Sequence, residues 1–108
     1  MANDIIYASP DGEVVNYQFD FSPDLPSDSA LTAIASGTDV TAAKFDGTAV
    51  NGIISNKAKS GLLLSCDITP ATDGEEYRVK FVGKGATSSN VIVKILEVRS
   101  RKYIQGGF

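Results

Sequence analysis

Residues 68–79 read ITPATDGEEYRV, and this stretch decides the fold class. An apolar strand that ends at Ile68 runs into a corner of Pro, Thr and Asp-Gly, which are residue types that favour tight turns. Tyr77 then opens a second strand. Val79 follows on the same face, because successive side chains of a strand point to opposite faces. The stretch therefore predicts two strands joined by a corner, which is a unit of an all-β protein.

Alternation of apolar and polar residues with a period of two recurs along the chain and predicts further strands. It is clearest in residues 13–22, where apolar side chains occupy every second position from Val15 to Phe21. Weaker strands are expected where shorter apolar runs lie between turn signals such as Asp46-Gly47. The expected strands are 5–8, 13–22, 31–36, 40–45, 52–55, 62–68, 77–81 and 90–99.

The last expected strand, 90–99, is partly apolar on both faces. Val91 and Val93 share one face, whereas Leu96 and Val98 share the other. Burial of the strand on both sides would explain this pattern, and so would an interface on one side.

Seven to eight short strands with frequent turn signals predict one antiparallel β-sandwich. No segment of ten residues keeps a helical stripe, and a chain of 108 residues has the size of one domain. We expect the sandwich to occupy residues 1–99 and a C-terminal arm or tail to occupy residues 100–108.

The start of the chain lacks the basic and apolar regions of a signal peptide, and its apolar runs are too short to span a membrane. We therefore expect synthesis in a cytoplasm and no membrane partner. Cys66, the single cysteine, cannot close an internal disulfide. Its place in an alternating apolar stretch predicts a buried, inert thiol.

The two parts of the chain differ in charge. Residues 1–43 contain seven acids and no Lys or Arg, whereas residues 44–108 contain ten bases and six acids. The parts carry formal charges of −7 and +4, which give the net charge of −3. Solvated charges spread over the surface explain this distribution. An acidic loop that faces a basic surface of a neighbouring copy would explain it as well.

The residue types argue against catalysis and against a bound metal or cofactor. The chain has no histidine, which excludes Ser-His-Asp and Cys-His nucleophiles and zinc sites built on His. No Gly-rich loop opens a helix to bind a nucleotide. Asp20, Asp24 and Asp28 could serve a glycosidase or bind calcium, but their spacing and two prolines favour a structural acidic loop. We therefore expect no enzyme, no cofactor and no metal.

Nucleic-acid binding is also not expected. Basic residues cluster late in the chain beside Tyr103, and such a mixture can hold a single strand. The protein is nevertheless acidic, with an isoelectric point near 4.7, whereas nucleic-acid-binding domains are usually basic.

The segment from Gly74 to Val79 resembles the tyrosine corner of immunoglobulin and fibronectin type III sandwiches. In that corner the Tyr ring packs on the core, and its hydroxyl bonds to upstream backbone. Alternatively, Tyr77 is an ordinary strand residue. Val79 stands where antibody domains have their second bridge cysteine, and the chain has no Trp, which argues against a disulfide-bonded antibody type.

Together with the segments Tyr17–Ser22 and Val91–Arg99, this corner resembles the small immunoglobulin-like virion proteins of tailed bacteriophages, in particular the phage fibre–tail adaptor type. The resemblance covers residues 13–100. It implies a non-enzymatic structural protein that links or decorates tail, fibre or capsid components. Its expected partners are other virion proteins, in a homo-oligomer or symmetric assembly within the virion. The alternative is a carbohydrate- or cell-surface-binding module of the same fold.

Partner contacts are expected at two places, an acidic loop between strands and the C-terminal arm. The arm carries bases and aromatic residues that could dock on a neighbour, although a frayed terminus would have the same composition. The expected contact residues are Asp24, Leu25 and Asp28 in the loop, and Arg99, Arg101, Lys102, Tyr103 and Phe108 at the C-terminal end.

Overall fold

The computed structural model describes residues 4–34 and 38–101, which form two packed β-sheets. One short turn of 3₁₀ helix, Asn51–Ile53, is the only helical segment in these two ranges. The all-β prediction is confirmed. The strands are β1 (Asp4–Ala8), β2 (Val15–Asp20), β3 (Leu31–Thr32), β4 (Val40–Lys44), β5 (Ile54–Ser60), β6 (Leu63–Ile68), β7 (Glu76–Gly85) and β8 (Val91–Ser100).

The three largest differences from the predicted strand boundaries have physical reasons. β5 continues to Ser60, although its residues after Ile54 are all exposed and carry no apolar alternation. β7 continues through Gly83 to Gly85, where the missing side chains remove the apolar signal from the sequence. β3 covers only Leu31–Thr32 of the predicted strand 31–36, whose last two residues lie outside the described ranges.

The first sheet has the order β1-β8-β7, and β3 and β4 share the far edge of β7. The second sheet has the order β2-β6-β5. Every strand pair is antiparallel except β1 with β8, which is parallel. The prediction of a wholly antiparallel sandwich is wrong for this pair. No hairpin joins β1 to β8, so no short turn constrains their relative direction.

The core lies between the two sheets and is built from the alternating residues that face inward. Phe81 from the first sheet meets Phe19 from the second with ring centroids 4.9 Å apart in an edge-on arrangement. Leu64 and Leu96 are almost fully buried. Aromatic pairs of this geometry add to the stability that comes from burying their area.

Tyr77 occupies the predicted corner at the start of β7. Its side chain is buried, as expected, at 2% exposure. Gly74 adopts φ +82°, a left-handed conformation that favours glycine, and its N–H donates to the Ser100 carbonyl at 2.8 Å. Within the described residues the Tyr77 hydroxyl makes no hydrogen bond. The bond from the hydroxyl to upstream backbone that a tyrosine corner has is therefore not found.

Candidate protein-binding surface

The loop between β2 and β3 covers one end of the sandwich and contributes side chains to the core. Leu25, expected to contact a partner, is only 1% exposed and packs with Phe21 in the core. The Leu25 N–H donates to the Phe21 carbonyl at 3.0 Å and closes a turn. The prediction that Leu25 binds a partner is therefore not supported, because the side chain has no surface to offer.

Asp28 is also occupied within the molecule. Its Oδ1 accepts from the backbone N–H groups of Thr87 and Ser88 at 2.7 and 2.9 Å, and its Oδ2 accepts from the Ser88 hydroxyl at 2.7 Å. Hydrogen bonds from the Ser88 side chain and backbone, then from Thr87, lower the pKa of this carboxyl below its usual range. Asp28 thus holds the turn between β7 and β8 and is not presented to a partner.

Two glycines of β7 leave room for side chains of this loop. A Cβ on Gly83 would lie 2.8 Å from the Phe21 ring, and a Cβ on Gly85 would collide with the Asp28 carboxylate. Neither glycine has a positive φ. Close approach, not backbone conformation, is therefore the reason for glycine at both positions.

Asp24 is the one residue of the predicted loop set that remains at the surface. Its Oδ2 lies 2.8 Å from Lys94 Nζ, and both side chains are partly exposed. The Lys94 ammonium also lies 5.7 Å from the centroid of the Phe21 ring. Asp24 is available at the rim of this end, but part of its charge is balanced within the chain.

The bases at the end of β8 form an ion-pair cluster. Arg99 Nη2 donates to Glu97 Oε1 at 3.0 Å, and Arg101 Nη2 donates to Glu76 Oε2 at 3.3 Å. Arg99 Nε is buried and makes no hydrogen bond, although Glu76 Oε2 lies 3.6 Å away as an ionic neighbour. Above all, the hydrogen bond to Glu97 raises the pKa of Arg99. Lys102, Tyr103 and Phe108 lie outside the described residues.

The outer face of the first sheet exposes apolar side chains at four positions on β7 and β8 and at two on the edge strand β1. Val91 and Val93 on β8 are 54% and 53% exposed, and Ile5 and Tyr7 on β1 are 48% and 61% exposed. Val82 and Ile95 are partly exposed on the same face. The sequence left two explanations for the apolar outer face of β8, burial on both sides of the strand or an interface on one side. Burial on both sides is excluded for the single chain, because Val91 and Val93 are more than half exposed.

The register of β7 with β8 arranges charge across this outer face in pairs. Arg78 lies opposite Glu97, Glu76 lies opposite Arg99, and Val82 lies opposite Val93. Lys80 and Lys84 lie opposite Ile95 and Val91. None of these five pairs places like charges opposite each other. We call this set of residues on β7 and β8 the paired face.

The outer face of the second sheet is polar. Asn16 on β2 donates to Asp67 at 2.9 Å, and Asn56 on β5 donates to the other oxygen of the same carboxylate at 2.8 Å. These bonds lower the pKa of Asp67. This sheet face satisfies its own polar groups and exposes little apolar surface, so it is a poor candidate for an interface.

A shallow groove at the other end of the sandwich is lined by Lys44, Phe45 and Asp46 and by the residues Gly74–Glu76. Lys44 and Glu75 form an ion pair at 3.2 Å. The Arg78 guanidinium lies 4.2 Å from the centroid of the Phe45 ring. Because this cation occupies one face of the ring, the groove offers a sugar little aromatic surface for stacking.

Cys66 is a core residue with 0% exposure, and the prediction of a buried thiol is confirmed. Burial, followed by the nearby Asp67 charge, raises the pKa of this thiol to about 11. The reactive thiolate is therefore scarce at neutral pH.

In the ranges that the structure describes, no group of three or more His, Cys, Asp or Glu side chains is arranged to hold a metal ion. No helix in the same ranges is long and apolar enough to cross a membrane. Comparisons with known protein families, with curated proteins and with solved structures find no match for this chain.

Proposed function

We propose that this chain is a non-enzymatic assembly module that binds other proteins through the outer face of its first sheet. The observation that carries the proposal is the exposure of Val91, Val93, Ile5 and Tyr7 together on one side of the sandwich. Several exposed apolar side chains on one sheet face of a small protein are typical of an interaction site. The opposite sheet face is polar and provides the contrast within the same molecule.

The strand order supports an immunoglobulin-like sandwich for this module. When β1 and β2 are matched to the first two strands of that fold, and β3 with β4 to its third, the second sheet pairs the second, fifth and fourth strands. The first sheet then pairs the third, sixth and seventh strands. The first strand joins the seventh at the edge of this sheet.

The virion of a tailed bacteriophage is the assembly we propose for this module, on the basis of the sequence resemblance. In such a particle a rigid sandwich would link or decorate tail, fibre or capsid components, with other virion proteins as partners. Arg99 and Arg101 would add charged contacts at one end of the apolar face, since each is partly exposed. Asp24 would add one at the end of the sandwich that carries the loop between β2 and β3. Charged rims around an apolar centre are the usual anatomy of a protein interface.

The proposal is tested by co-expressing the chain with each protein encoded beside its gene and measuring the stoichiometry of purified complexes by native mass spectrometry. We expect a defined complex that Val93→Glu abolishes and Val14→Glu preserves. Val14 is a matched control because it is 58% exposed, close to the 53% of Val93, but lies outside the first sheet. The absence of any complex, or equal loss with both variants, would contradict the proposal.

A further inference from the structure

The paired face has the chemistry of a self-complementary surface. Each of its five register pairs is apolar with apolar, acid with base, or lysine with aliphatic residue. In a two-fold arrangement each residue i meets a residue j of the other copy, and j meets i. A face built from such pairs can therefore satisfy a second copy of itself.

From this pattern we infer that two copies of this chain associate through their paired faces, with the two-fold axis parallel to the strands and between β7 and β8. This inference rests on the proposed function, because it names the occupant of the same apolar surface. The two sheets then pack face to face with nearly aligned strands, which is a common geometry for stacked sheets.

Rotation about this axis places β7 of one copy over β8 of the other at the same level along the strands. Val82 then meets Val93 of the second copy, and Arg78 meets Glu97 of the second copy. At the next outward-facing pair, Glu76 of one copy meets Arg99 of the second copy. Lys80 lies over Ile95, so its aliphatic stem covers an apolar side chain while its ammonium reaches solvent.

The size of the face is consistent with a stable contact. β7 and β8 each contain ten residues, and the strands beside them are shorter, with five residues in β1, five in β4 and two in β3. At about 3.3 Å per residue and about 4.8 Å per strand, the outer face of the first sheet covers about 500 Å² on each copy. Two such faces reach the total of about 1,000 Å² expected of a specific interface.

The second sheet cannot pair in this way. Its outer face carries carboxylates at Asp20 and Asp67, and the side chains of Asn16 and Asn56 already bind the Asp67 carboxylate within the chain. Self-association is therefore expected through one face only, which gives a closed dimer and not a filament.

The experiment measures the solution mass of the full chain by sedimentation equilibrium over a range of concentrations. The wild type is expected to be a dimer that dissociates on dilution. Val93→Glu should raise the dimer dissociation constant at least a hundredfold, because a charge would be buried against Val82. Val14→Glu, the matched control outside the paired face, should leave the dissociation constant within twofold of the wild type.

Charge reversal tests the two-fold geometry directly. Arg78→Glu places two acids opposite each other across the interface, and Glu97→Arg places two bases there, so each variant alone should be monomeric. An equimolar mixture of R78E and E97R should form a heterodimer, because every cross-copy pair is again of opposite charge. Altered stability of the separate chains would not produce a dimer that appears only on mixing.

The results separate this inference from the proposed function. A wild type that stays monomeric up to about 1 mM, or a mixture of R78E and E97R that stays monomeric while the wild type dimerises, overturns the inference. A monomer that still binds a neighbouring gene product through Val93 leaves the proposed function intact with a different occupant. A dimer that binds no other protein supports the inference and counts against a linking role.

Discussion

The loop at 21–30 and the outer face of β8 are opposites in sequence and in structure. The loop is rich in Pro, Ser and Asp, yet it buries Phe21, Leu25 and Asp28. The outer face of β8 is aliphatic from Val91 to Ile95, yet Val91 and Val93 are more than half exposed. Polarity of sequence thus misidentifies which side chains are covered in both cases. The reason is that neighbours from distant parts of the chain decide what is covered.

The comparison also assigns different roles to the two regions. The loop stabilises the fold because it buries apolar side chains at one end of the sandwich and binds the turn after β7. The outer face contributes nothing to the core, and its apolar side chains stay exposed in the single chain. Substitutions in the loop should therefore change the stability of the chain, whereas substitutions on the face should change only its association.

The largest effect is expected from Leu25→Ala. The side chain is almost completely buried, so the variant loses its apolar contacts and leaves a cavity at the end of the core. We expect the free energy of unfolding to fall by about 2–5 kcal/mol, as measured by urea denaturation. Ser27→Ala, at an exposed position of the same loop, is the control. Equal stability of L25A and wild type would show that the loop does not contribute to the core.

Gly83→Ala is expected to have the next largest effect. The added methyl would press on the Phe21 ring at 2.8 Å, and overpacking of this kind costs about 1–3 kcal/mol. Thermal unfolding of G83A should be compared with that of Gly52→Ala, where a Cβ meets nothing within 4 Å and φ is not positive. Similar melting temperatures for G83A and G52A would contradict the tight contact between loop and β7.

Asp28→Asn should destabilise the protein at neutral pH, because an amide nitrogen would replace one of the two acceptor oxygens that Thr87 and Ser88 contact. The folded state lowers the pKa of Asp28, so its ionised form contributes stability above the unfolded value of about 3.9. That contribution disappears as the pH falls through the lower, folded value. The stability difference between wild type and D28N should therefore shrink below about pH 4.

Denaturant titrations from pH 7 down to the acid limit measure this difference. Asp24→Asn is the control, because Asp24 pairs with Lys94 at a partly exposed position and holds no backbone N–H group. A gap between wild type and D28N that stays constant through this range would remove the carboxylate from the stabilising role assigned to it.

The smallest effect on stability is expected from Val93→Glu. The side chain is about half exposed and faces away from the core, so the free energy of unfolding of the monomer should change by less than about 0.5 kcal/mol. The measurement is made at a dilution where the wild type is monomeric, with Val14→Glu beside it. A large loss of stability in V93E would mean that the outer face belongs to the core, and the comparison between the two regions would fail.

The predicted strands were mostly correct where apolar alternation is strong. The ranges expected from a period of two contain or overlap four observed strands, namely β2, β6, β7 and β8. The prediction was weakest for β5 and for the end of β7, because exposed polar residues and glycines leave no alternation to detect. Of the predicted contact residues in the described ranges, Leu25 and Asp28 are structural, and Asp24, Arg99 and Arg101 lie at the surface.

Sequence alone predicts the all-β class, the buried thiol of Cys66 and the buried Tyr77 that follows a turn. These depend on local alternation, turn residues and composition, which act over a few neighbouring positions. Two features become visible only in the folded chain: Asp28 holds a turn about sixty residues further along the chain, and Val82, Val93 and Ile5 share one exposed face. Strand pairing brings these distant residues together, and no local pattern specifies which strands become neighbours.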